Sequence, residues 1–188
     1  MALETTFNLL TAQLHALLEA LTGLHTTVVE DRPLDEQSPQ ATPALVDIVG
    51  TSAEDLIGWM MEAIAAVQET QPSIRIGDLD AVRRGLSDCQ VRTIRIGQCL
   101  VADLMQYERI ADLARVGRTR GGEWRGWALS AKQAIDSCRQ PLFDLQQAQF
   151  ECWQELAERS GRQSISIQAT GIGQQMARPE LGSGAYSS

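Results

Sequence analysis

The residues most able to do chemistry are two histidines, four cysteines and a run of arginines and tryptophans at 118–127. A carboxylate-bridged metal site in a helical bundle needs Glu-x-x-His motifs on two helices and a glutamate on each of the others. Neither His15 nor His25 has a glutamate three residues before it, and His15 with Glu19 makes a single pair on one helix face. No metal or other cofactor is therefore expected. Cys89, Cys99, Cys138 and Cys152 are widely spaced and form no Cys-x-x-Cys pair, which excludes zinc-ribbon and thioredoxin-like motifs. Each lies in or beside an apolar stripe, where burial raises a thiol's pKa and quenches its nucleophilicity. There is no Gly-x-Ser-x-Gly elbow, and Gly171-Ile172-Gly173 lacks the flanking strand, the helix and the third glycine of a phosphate cradle. The chain reads as a non-enzymatic helical-bundle adaptor or regulatory subunit, with no catalytic residue assigned; the alternative is a small-molecule- or metal-binding bundle, an enzyme included, with its site between helices near Asp103 and Tyr107.

Two constellations remain as candidate binding sites. The first is Arg118, Arg120, Trp124, Arg125 and Trp127, set among Gly121, Gly122 and Gly126. Arginine offers a bidentate fork to carboxylate or phosphate, and tryptophan is enriched at interaction hot spots. The same run also reads as an interhelical turn, with solvated arginines and tryptophans closing the end of a bundle. The second is Asp103 with Tyr107, polar groups at core-type positions of a long helix. Buried polar groups need partners, supplied either by a bound small molecule or metal or by facing residues such as Gln149.

Charge narrows the class of partner. The chain carries 24 acids and 16 bases, a net charge of −8, which disfavours nucleic acid. Residues 1–76 hold eleven acids and two bases, whereas residues 77–160 hold twelve of each. Another protein is the expected partner, or a second copy of the chain. The N-terminus lacks a basic n-region and an apolar h-region, and no apolar stretch approaches the roughly 20 residues that span a bilayer. These features predict a cytoplasmic protein without a membrane partner. Fifteen of the sixteen bases are arginine, a bias that codon usage in a GC-rich genome would produce.

The elements that must position these residues follow from periodicity. Phe7, Leu10, Leu14, Leu17, Leu21 and Leu24 recur at three and four residues, predicting a helix over 3–25. Pro33, Pro39 and Pro43 predict a loop over 31–50. Thr51 with Glu54 reads as a capping box opening a helix that runs to about residue 69. A heptad-like stripe from Leu79 to Ile110 predicts a long helix over 78–116, broken by Gly117, Gly121 and Gly122. A second long helix follows over 123–160, kinked at Pro141 and ended by Gly161, with a mostly disordered tail at 162–188. The fold class is all-α, an antiparallel bundle of about four helices built around the 78–160 hairpin and spanning 1–161. With the turn at 117–122, facing residues of the hairpin should have numbers summing to about 240. That register brings Cys89 and Cys152 together in the core.

Overall fold

The computed structural model describes residues 2–33, 42–116 and 121–176, with side chains placed at 3–33, 52–114 and 122–161. Four helices follow in order: α1 (Ala2–His25), α2 (Thr42–Ile76), α3 (Leu79–Val116) and α4 (Gly121–Met176). Each packs on two neighbours, α1 on α2 and α4, and α3 on α2 and α4. Cross-links show that neighbours run antiparallel: Arg75 meets Glu4 at 3.8 Å, Arg92 meets Glu62 at 3.0 Å, and Lys132 meets Glu108 at 2.9 Å. The architecture is an up-down-up-down bundle, as the apolar stripes require. Leu3, Phe7, Leu10, Leu14, Leu17 and Leu21 fill it from α1, and every one is at most 1% exposed.

Helix ends differ from the sequence reading in instructive ways. α2 begins at Thr42, nine residues before the Thr51 box, because Pro43 falls in the first turn, where a missing N–H costs nothing. Residues 42–50 of the expected 31–50 loop are thereby helical, and residues 34–41 lie outside the described set. α2 also runs on through Pro72 and stops only at Gly77, whose φ of +77° sets the left-handed C-terminal turn. The Asp78 N–H donates to the Ser73 carbonyl at 3.0 Å, as in a Schellman closure. Asp78 then caps α3, its Oδ1 accepting from the Ala81 N–H at 3.0 Å. Two residues therefore reverse the chain.

α1 leaves its regular period at the β-branched run, where Thr26–Glu30 forms a single π-helical turn. The Asp31 N–H closes it on the Thr26 carbonyl at 3.1 Å. α4 passes both Pro141 and Gly161 and continues to Met176. A lone glycine costs a helix only about 1 kcal/mol against alanine, too little to stop it without a following proline or left-handed turn. Residues 177–188 lie outside the described set.

Gly85 lets α3 approach α2 closely. A Cβ there would collide with Thr70 Oγ1 and come within 3.2 Å of the Ala66 carbonyl oxygen. That hydroxyl is itself held by the same carbonyl, to which it donates at 2.6 Å. Gly85→Val should therefore lower stability by about 1–3 kcal/mol through overpacking, read as a reduced urea midpoint. An unchanged midpoint would mean that the two helices are not in this contact.

Candidate functional site

At the turn end of the hairpin the tryptophans are structural. Trp124 and Trp127 are 3% and 5% exposed, the arrangement that the turn reading of this run describes, and little of either ring is left at the surface. The Trp127 indole donates to the Thr27 carbonyl at 2.9 Å, fastening α4 to the π-helical turn. Its ring meets Tyr107 and Trp124 edge to face, both with centroids 5.6 Å apart. Arg125 remains exposed and lines an open cleft of about 290 Å³ with Glu108, Asp112, Leu129 and Lys132. Arg118 and Arg120 lie outside the described residues. The tip is thus half core and half solvated charge.

Asp103 and Tyr107 are buried, as their positions on the stripe imply, but they are not left waiting for a ligand. Ser52 of α2 donates its hydroxyl to Asp103 Oδ2 at 2.7 Å. Tyr107 packs on Trp127, while Gln149 binds Thr93 a few turns away. A second open cleft, of about 390 Å³, lies beside Asp31, Pro33, Glu123, Trp127 and Ser130 and does not reach Asp103. Among the described residues no three His, Cys, Asp or Glu side chains gather as a metal site requires.

Burial raises the Asp103 pKa above its ordinary value, with the Ser52 hydrogen bond opposing. For an acid held high in the folded state, the stabilising contribution is full below the unfolded pKa and is lost as pH rises through the folded one. Asp103→Asn removes that dependence. Its stability relative to the parent should improve as pH climbs from about 4 toward neutrality, measured by urea unfolding at each pH. A difference that stays flat across this range would mean that Asp103 is solvated.

Three of the four thiols are quenched by the same physics. Burial pushes Cys89 and Cys138 up to about 11 and Cys152 up to about 12. Cys152 feels the charge of Cys89, consistent with the register that brings the two together, and none of the four is bridged. Cys99 is only half-buried. Alkylation of the folded protein at neutral pH should label Cys99 first and the other three only after unfolding. Cys152→Ala should cost roughly 1–2 kcal/mol. Rapid labelling of Cys89 or Cys152 would contradict the core packing.

A feature unread in the sequence lies on the outside of the hairpin. Among the described residues eleven large hydrophobic side chains are exposed, and seven of them share this one face. α3 contributes Val91, Ile94, Val101 and Met105, between 47% and 66% exposed. Their spacing is a second heptad stripe, on the side opposite the core stripe. α4 contributes Leu129, Phe143 and Phe150, at intervals of seven or fourteen. Thr93 with Gln149 and Gln90 with Trp153 define the observed register, which sets Val91 beside Phe150 and Gln98 beside Phe143. The groove between the two rows is floored at Gly97, whose Cβ position would sit 3.4 Å from the Leu142 side chain. Glu108, Asp112, Arg125 and Lys132 surround its turn end.

Comparison with family models, curated proteins and solved structures returns no match.

Proposed function

We propose that this chain is a non-enzymatic helical-bundle adaptor or regulatory subunit that works by protein–protein contact. Its docking surface is the outer α3–α4 face. The observation that carries this reading is the concentration of seven exposed apolar side chains on that one face. Scattered apolar residues are normal on a surface, but contiguous patches mark interaction sites. Gln98 on α3 and Gln140 and Gln147 on α4 lie among the apolar residues, and the two charges in the α4 part of the face, Asp136 and Arg139, pair with each other at 3.0 Å. A ligand site at Asp103 has less support, because Ser52 already supplies the hydrogen bond that a ligand would have to make. Arg125 serves as part of a polar rim at one end of the face. Four unbridged thiols suit a reducing compartment, and we place the protein in the cytoplasm. Among the described residues no helix is long and apolar enough to cross a membrane.

The test is photo-crosslinking in cells. Benzoylphenylalanine in place of Phe143 or Phe150 should trap a protein adduct, whereas the same residue at exposed Gln68 on α2 should trap none. Adducts absent from 143 and 150 would remove the α3–α4 face as the working surface.

A further inference from the structure

We infer that the occupant of the outer α3–α4 face is a second copy of this chain, laid antiparallel across a twofold axis close to Gln98. The inference rests on the protein-contact reading above and names the partner. Its first support is the charge pattern along the outermost line of α3. At seven-residue intervals this line reads Arg84, Val91, Gln98, Met105, Asp112, with all five side chains exposed. Chemically it is basic, apolar, amide, apolar, acidic, and it inverts its charge about its own midpoint. A parallel second copy would set Arg84 against Arg84 and Asp112 against Asp112. An antiparallel copy sets Arg84 of one chain near Asp112 of the other, twice, and apolar side chains against apolar ones. The two Gln98 amides meet near the axis, where paired polar side chains fix register at the expense of alternatives. Self-complementarity of this kind is what an isologous twofold interface requires.

The second support is where the net charge sits. Residues 1–76, which include α1, the π-helical turn and the whole of α2, carry eleven acids and two bases. Two copies meeting through those helices would bring like charge together. Residues 77–160 carry twelve acids and twelve bases, so the hairpin is the neutral side of an acidic molecule. Pairing through α3 and α4 keeps the acidic helices apart and turned to solvent.

The size of the face is adequate. From Arg84 to Asp112 the line covers 28 residues, about 42 Å of helix. Two helices side by side are about 20 Å wide, which gives a face of roughly 800 Å². Stable interfaces bury about that much per partner. The phenylalanines of α4 extend the apolar strip laterally, beside a row of glutamines at the same spacing: Gln133, Gln140, Gln147 and Gln154.

Sedimentation equilibrium of the full chain should give about twice the 20.6 kDa chain mass. Val101→Glu with Phe150→Glu should return the monomer with an unchanged helical circular dichroism spectrum. Arg84→Glu alone and Asp112→Arg alone should each weaken the dimer by about tenfold, the scale of a close interfacial charge pair. Placing both changes in one chain restores opposite charges across the axis and should recover the dimer. This rescue separates the interface from any folding defect. A chain that stays at monomer mass at its highest soluble concentration overturns the dimer. If crosslinks from 143 and 150 then contain a different protein, the contact reading stands without self-association. A dimer indifferent to every charge reversal overturns the antiparallel arrangement.

Discussion

Gln149 is an amide in a dry interior, 3% exposed, and the alignment of the long hairpin depends on what it finds there. Its Nε2 donates to Thr93 Oγ1 at 2.9 Å and reaches Cys89 Sγ at 3.4 Å. Thr93 in turn donates to the Gln90 carbonyl at 2.9 Å. Apolar stripes with a seven-residue period are nearly degenerate, since sliding one helix by a heptad still buries leucine against leucine. The amide removes that degeneracy. A slipped hairpin would leave its polar atoms buried without partners, at about 1–3 kcal/mol for each group, several times what a changed leucine contact gains or loses. One polar trio therefore decides which residues of α3 and α4 stand opposite each other, while the apolar core supplies most of the stability.

Consequences of that alignment appear at both ends and on the outside. At the turn end it carries Trp127 to Tyr107 and to the Thr27 carbonyl, so the π-helical turn of α1 is pinned by a ring from α4. At the far end it brings Arg83 to Ser160 at 2.7 Å. On the outer face it juxtaposes Val91 with Phe150, and it lays Leu142 over Gly97, which opens the groove between the rows. Register in the core and pattern on the surface are thus one property of the hairpin. A heptad slip would scatter the outer patch as surely as it would strand the amide.

Much of the bundle was legible because its stripes are long. Phe7 to Leu24 and Leu79 to Ile110 repeat often enough that only a helix satisfies them, and the antiparallel register of the hairpin followed from the position of its turn. Helix ends were harder to read, since each depends on one local competition. Pro43 reads as a breaker until it is placed in a first turn, and Gly161 reads as a stop although nothing after it favours a left-handed conformation. Gly77 is the glycine that does adopt positive φ, and there the helix ends. At the candidate sites the chemistry of single residues was legible and their orientation was not. Tryptophan is equally at home in a hot spot and in a plug. Only the burial of both rings, with Trp127 set between Tyr107 of α3 and Thr27 of the π-helical turn, distinguishes the two. Asp103 was correctly placed in the core, but its partner Ser52 lies 51 residues away, where no spacing rule reaches.

The outer stripe of α3 went unread because the core stripe accounted for the helix so completely. Once Val82, Leu86, Cys89, Ile96 and Leu100 are assigned inward, Val91, Ile94, Val101 and Met105 are a remainder, and remainders are easily taken as noise. Their phase shows that they are not. They repeat with the same seven-residue period as the core, half a turn away, so α3 is apolar on two opposite faces. Folding explains only one of these. The inward positions of α4 are already filled by Leu145, Cys152 and Leu156, so Phe143 and Phe150 add nothing to the monomer's core. A helix with two apolar faces is the pattern of a helix covered on both sides. On the proposal made here α2 and α4 cover the first face of α3 and the second copy covers the other. This places α3 at the centre of the assembly, although in the single chain it is one corner of a four-helix square.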